Sequence, residues 1–162
     1  MKIHTELATL ETYIDNFQEL NLEVSKSNVA WHIDHSLKAI LGIIKILKDS
    51  NPSEYKATFS IPKFFVFNFY FLPRGKAKSP KAVDSDVSTI SESSLQKLFK
   101  LTKSALDSQL KDINENQFFE HPFFGKLNKK VAIKFMAIHT NHHIKIIKDI
   151  ICLLYTSDAA DD

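Results

Sequence analysis

The sequence predicts an all-α chain, a four-helix bundle with a long crossover between helices 2 and 3. Three observations carry that expectation. Only 3 Gly and 5 Pro occur among 162 residues, too few breakers for a turn-rich β architecture. Apolar residues recur three and four apart through four separate stretches, the spacing that lines up one face of a helix. Residues 51 to 90 separate the second and third of these stretches, enough chain to cross a bundle.

The first helix is expected from about Lys2 to Leu20, with Ile3, Leu7, Leu10, Ile14 and Phe17 on its apolar face. Ser25 or Ser27 can cap the second, which runs to about Lys48 and buries Val29, Ile33, Leu37, Ile40, Ile44 and Leu47. Asn51-Pro52 stops it. Within the crossover the run Phe64 to Phe71 has strand propensity but no partner strand, so it is read as a short helix laid over the bundle. Ser91 caps the third long helix, which spans about Ser91 to Ile113 with Glu92 in its first turn. Asn128 caps the fourth, which runs to Ile151. The 13 Phe imply a large aromatic core.

The chain to Ile151 is read as one domain. Cys152 to Asp162, CLLYTSDAADD, resembles the translated read-through of a sequencing adapter and is set apart as a non-native tail. Without Asp158, Asp161 and Asp162, 16 acidic residues face 21 basic ones, so the net charge moves from +2 to about +5. That mild excess is no footprint for nucleic acid, which is not expected as a partner. No secretory leader and no bilayer-length apolar run are read, so a cytoplasmic protein without a membrane partner is expected.

The chemistry concentrates in histidines. At about 100° per residue, Ala132, Phe135, Met136, His139, His143, Ile146, Ile147 and Ile150 share one face of the last helix. His139 and His143 therefore lie one turn apart in the buried stripe, with His142 toward its edge. Two imidazoles in one buried column bring four polar nitrogens that need partners. On the second helix, Trp31-His32-Ile33-Asp34-His35, His32 flanks the apolar stripe. His35 lies about 160° from that stripe and is expected in solvent with Asp34. His32, His139 and His143 thus form a candidate set for Zn²⁺, Ni²⁺ or Fe²⁺, three ligands leaving a position open as catalytic sites do. Core histidines that merely hydrogen-bond one another remain the equal alternative at this point.

Other chemistries are excluded by what is missing. His139-Thr140-Asn141-His142-His143 lacks the Glu of a zincin helix, and Gly42, Gly75 and Gly125 are too scattered for a phosphate loop. No Glu-x-x-His pair supports a di-iron bundle, and no Ser or Cys nucleophile with its own base can be argued. Two loops are of interest. Glu120-His121-Pro122-Phe123-Phe124-Gly125 reads as a Pro-Gly turn that can hang Glu120 or His121 over one end of the bundle. Arg74, Lys76, Lys78 and Lys81 make a basic connector able to hold an anionic substrate.

His32 early in the second helix, the long crossover, the His121-Pro122-Phe123-Phe124-Gly125 turn and then His139-x-x-His142-His143 resemble the DinB/YfiT-like superfamily. The nearest branch is that of domain of unknown function 1569. The resemblance covers nearly the whole chain to Ile151, and the turn with the histidine helix is its most specific part. It implies a four-helix bundle that holds a divalent metal by one His of the second helix and two His, four apart, of the last. Carried over by position, these are His32, His139 and His143, with His35 as the substitute for His32. His35, His142, His121, Glu120 and Arg74 would then surround the cation or meet a substrate. The superfamily includes metal-dependent transferases that use small thiols, and metal hydrolases. The resemblance therefore implies thiol S-transfer or hydrolysis on a small molecule, with a low-molecular-weight thiol as cofactor in the first case. A non-catalytic interaction bundle, as a homodimer, is the competing expectation.

Overall fold

The computed structural model describes residues 2–75, 86 and 89–158, with side chains through residue 153. Helices dominate, and one two-stranded sheet interrupts them. The helices are α1 (Lys2–Glu11), α2 (Val29–Asp49), α3 (Ile61–Phe69), α4 (Glu92–Ser104) and α5 (Lys129–Asp158). The strands β1 (Phe118–His121) and β2 (Gly125–Asn128) form an antiparallel hairpin between α4 and α5. No helix among the described residues is long and apolar enough to cross a membrane.

α2 and α5 are the central pair. α5 packs against both α1 and α2, and α2 also packs against α4. Ile3, Leu7, Leu10, Ile33, Leu37, Ile44, Leu95, Phe99 and Ile147 meet in the common core, each at most 1% exposed.

α1 is shorter than its periodicity suggests. Thr12 sits at its end and its hydroxyl donates to the Thr9 carbonyl at 2.8 Å, taking an acceptor from the ladder. Beyond a 3₁₀ turn at Ile14–Asn16, the carbonyls of Phe17 and Glu19 accept from the N–H groups of Ala30 (2.8 Å) and Val29 (3.0 Å). Residues 17–28 thus cover the start of α2 rather than extending α1. The cap of α2 is Asn28, whose Oδ1 accepts from the Trp31 N–H at 3.0 Å, and not Ser25 or Ser27.

α3 is the short helix expected for the aromatic run, capped by Ser60 with Pro62 in its first turn and ended by Tyr70 at φ 55°. α4 begins at the Ser91 capping box as expected, but after Ser104 it widens into a π turn over Ala105–Gln109 and stops short of Ile113. Asn128 caps α5 as expected, accepting from the Val131 N–H at 3.2 Å.

The hairpin is the departure from an all-α reading. Pro122-Phe123-Phe124 forms its loop, the Phe124 N–H donates to the His121 carbonyl at 3.2 Å, and Gly125 comes next at φ 66°. The left-handed Gly125, paired with His121, turns the chain out of this loop into β2. The aromatic core is also half the size expected. Phe67, Phe99, Phe118, Phe119, Phe124 and Phe135 are buried, whereas Phe59, Phe64, Phe65, Phe69, Phe71 and Phe123 are each more than half exposed.

Candidate metal centre

α2 and α5 lie side by side with their histidines facing each other. The α2 residues are His32 and His35, at i and i+3 on one turn; those of α5 are His139 and His143, at i and i+4. His35, His139 and His143 each offer a ring nitrogen, and these three atoms all lie within 4.8 Å of one another. Their ring centroids are 5.2 Å (His35–His139), 4.8 Å (His35–His143) and 4.7 Å (His139–His143) apart.

His35, expected in solvent, is 4% exposed; Asp34, expected beside it, is 6% exposed and pairs with Lys38 at 2.9 Å. The reason is the central position of α2. Its first two turns are covered on nearly every side, so Val29, Ala30, His32, Ile33, Asp34, His35, Ser36 and Leu37 are all buried and Trp31 is partly so. A single apolar stripe does not describe such a helix. The Trp31 indole lies flat against the His35 ring, 4.7 Å between centroids and 6° between planes.

The geometry gives the α2 place in the cluster to His35 rather than His32. His32 stands one layer behind. Its Nδ1 is 2.9 Å from Nδ1 of His143, and its Nε2 is 3.0 Å from Ser25 Oγ. Ser25 Oγ also accepts from the Ser27 N–H at 3.1 Å. One proton pattern satisfies all three contacts and leaves His143 able to bind a cation. His143 donates Nδ1–H to His32, His32 donates Nε2–H to Ser25, and the lone pair of His143 Nε2 stays free. Such an outer hydrogen bond is what fixes the tautomer and ring orientation of metal-binding imidazoles.

Burial keeps these rings neutral. Burial first, and neighbouring His35 second, lower His32 and His139 to about 3. Burial, then His139 and the other imidazoles, push His143 well below the ordinary range. At neutral pH His32, His139 and His143 therefore present lone pairs, the form in which imidazole ligates metals. The three ring nitrogens lie within 4.8 Å of one another, and tetrahedral bonds of about 2.0–2.1 Å to one ion would draw them to roughly 3.4 Å apart. The donor set fits a borderline divalent ion: all nitrogen, no thiolate, three ligands.

The remaining sequence candidates surround this cluster unevenly. His121, at the end of β1, stacks on Phe124 (4.3 Å, 14°) and meets Phe135 edge-on at 4.9 Å. Phe135 in turn touches His139 at 5.7 Å, so the hairpin closes one end of the site through aromatic contacts. Burial lowers His121 to about 4. Glu120, the preceding residue of the strand, is exposed. The His142 ring is 5.3 Å from that of His143. It lines a small cavity with Arg74, whose guanidinium donates to Asp149 Oδ2 at 2.6 Å. Lys76, Lys78 and Lys81, the rest of the basic connector, lie outside the described residues.

No protein-family model matches the chain, and no curated protein or solved structure does so either.

Ser25 and Trp31 are the two site residues that sequence reasoning does not single out. Ser25 reads as a helix cap, and nothing local distinguishes a serine that caps from one that holds a ring seven residues on. His35 has a signal in the His32-x-x-His35 spacing, which puts both rings on adjoining sides of one turn.

Proposed function

We propose that this chain is a divalent-metal-dependent enzyme built on a four-helix bundle of the DinB-like type. His35, His139 and His143 are its ligands, and thiol S-transfer or hydrolysis of a small molecule is its reaction class. The observation that carries the reading is the convergence of three ring nitrogens, from two helices, within 4.8 Å of one another.

The chain's own residues have distinct parts. Packing of α2 on α5 keeps bulk water from the ligands and holds them unprotonated. The Ser25–His32 pair fixes the His143 ring. Trp31, flat against His35, restricts that ring's rotation. His121 and Phe135 close the hairpin end, and His142 with Arg74 lines the side where a substrate can approach. His35, His139 and His143 would hold Zn²⁺, Ni²⁺ or Fe²⁺, which when bound would supply a nucleophile by lowering the pKa of a water or a low-molecular-weight thiol toward neutrality.

Elemental analysis of protein purified without an affinity tag tests this. About one equivalent of metal is expected, with loss after His35→Ala or His139→Ala. Metal well below one equivalent, unchanged in those variants and not restored by added Zn²⁺ or Ni²⁺, rejects the reading. Thiol-transfer and hydrolysis assays on the loaded protein then separate the two reaction classes.

A second reading is favoured by one contact. The 2.9 Å His32–His143 hydrogen bond satisfies two buried nitrogens without any ion, as a non-catalytic bundle would require. That reading expects chelator to leave thermal unfolding unchanged.

A further inference from the structure

Six exposed phenylalanines are an excess that the metal centre leaves unexplained. They are not scattered. Phe65, Phe69 and Phe71 are 53%, 69% and 56% exposed, and the rings of Phe65 and Phe69 stack at 5.9 Å and 13°. With Pro62, Val66 and Pro73 they line an open apolar groove of about 410 Å³ along α3. A contiguous apolar concavity of this kind marks a binding surface.

The groove does not stand alone. Phe71 also lines a second cavity, of about 50 Å³, whose other walls include Arg74, Asn141, His142 and Lys145. The two spaces adjoin at that ring. The smaller one is lined by two cations and a half-buried imidazole. At roughly 30 Å³ per water in the liquid, it suits one carboxylate group. Arg74 is steadied against α5 by Asp149 at 2.6 Å, and a guanidinium has five N–H donors, so others remain for a ligand. The charge pattern agrees. From Tyr55 to Val83 the sequence has six basic residues and no acidic one.

We propose that groove and cavity together bind an amphipathic carboxylate of medium chain length. The carboxylate sits against Arg74 and Lys145, and the chain runs along Phe71, Phe69 and Phe65. A second copy of this chain is disfavoured as the occupant, because a two-fold contact would bring like charges together. A bilayer surface is disfavoured because the apolar residues line a concavity. The site needs no metal, so its test is independent of the metal reading.

Calorimetric titration of the full chain with octanoate, hexanoate, acetate and octylamine, in the presence of chelator, decides the matter. Octanoate is expected to bind tightest of the four, affinity rising about two- to fourfold per added methylene. Octylamine is expected not to compete. Arg74→Gln should weaken octanoate about tenfold, and Lys145→Gln or Phe69→Ser severalfold, with unchanged circular dichroism. Octanoate affinity equal to that of acetate, or indifferent to both Arg74→Gln and Lys145→Gln, overturns the proposal. So does binding that appears only when metal is added, which would place the carboxylate on the ion. Sedimentation showing a dimer whose Phe69→Ser variant is monomeric, or binding to anionic phosphatidylglycerol vesicles without binding to octanoate, overturns it as well.

Discussion

Nδ1 of His32 lies 2.9 Å from Nδ1 of His143, across 111 residues of sequence and between the two central helices. Two ring nitrogens can sit that close only if one carries the proton and the other accepts it. For His143 Nε2 to hold a cation, His143 Nδ1–H must donate to His32 Nδ1, and His32 Nε2–H then donates to Ser25 Oγ, which also takes the Ser27 N–H. In that pattern His143 keeps its lone pair on Nε2. Replacing His32 by Ala should therefore lower affinity for Zn²⁺ about 10- to 100-fold while the ligand set stays intact. Ser25→Ala should act in the same direction and more weakly. Competition against a chromophoric chelator measures both, and ¹⁵N shifts of the histidine rings report the tautomer directly. An unchanged affinity in His32→Ala with the His143 tautomer preserved would show that the contact is only packing.

Trp31 is the only tryptophan, and its indole is stacked on His35 at 4.7 Å. Any ion that takes the His35 nitrogen alters that stack, so the fluorescence of this chain should titrate with metal. Binding to the folded state alone also stabilises it, by about 2.7 kcal/mol at a free ion concentration one hundred times Kd. For a domain of this size that is a rise in Tm on the order of 5–10 °C. His35→Ala should abolish both the fluorescence change and the rise in Tm, whereas His121→Ala should keep them. A chelator-insensitive Tm together with a flat titration favours the non-catalytic bundle.

The placement of the long helices was legible because it depends on local chemistry. Ser91 and Asn128 cap α4 and α5 where expected, whereas the α2 cap falls on Asn28 rather than Ser25 or Ser27 and the short crossover helix starts at Ile61, ahead of the aromatic run. Hidden from the sequence is whatever depends on tertiary neighbours. α1 does not resume beyond its end at Glu11, because the carbonyls of Phe17 and Glu19 are taken by the start of α2. The hairpin uses Phe118-Phe119 and Gly125-Lys126-Leu127, within segments of four residues each that have too little alternation to read as strands. At the site, the pairing of His139 with His143 comes directly from helical spacing. The α2 ligand does not, because the stripe argument assumes one wet face and the first turns of α2 have none. The exposed Phe run shows the same limit in reverse. Hydrophobic composition predicts a core, and six of the 13 rings are on the surface instead.

Buried neutral imidazoles also set the response to acid. His32 and His139 titrate at about 3 and His121 at about 4 in the folded chain, each lowered chiefly by burial from an ordinary value near 6.5. The unfolded chain thus takes up these protons first as pH falls. Stability from keeping the rings neutral is complete above about pH 6.5 and is lost progressively between there and about pH 3–4. Each ring can contribute a slope of up to about 1.4 kcal/mol per pH unit within that window. Denaturant unfolding of metal-free protein from pH 8 to 4 should show a fall that begins near 6.5, and His32→Asn should flatten it. A profile level down to pH 5 would mean that the rings are solvated or already charged.

Gly125 ties the hairpin to the crossover, and its environment disfavours a side chain on two counts. Its φ of 66° lies in the left-handed region, and a Cβ built there would come 2.5 Å from Thr58 Oγ1. Gly125→Ala should therefore cost about 1–3 kcal/mol, from backbone strain together with displacement of Thr58. The two contributions separate on combining it with Thr58→Gly. Removing the threonine side chain relieves the contact but leaves the φ penalty, so the double variant should recover only part of the loss relative to Thr58→Gly alone. His121 is the hairpin partner of Gly125, and its ring packs on Phe135 beside His139. A shifted turn should therefore loosen the closed end of the site as well. In Gly125→Ala the metal affinity should fall along with the stability, by less than in His32→Ala, since no ligand or hydrogen-bond partner of a ligand has been removed.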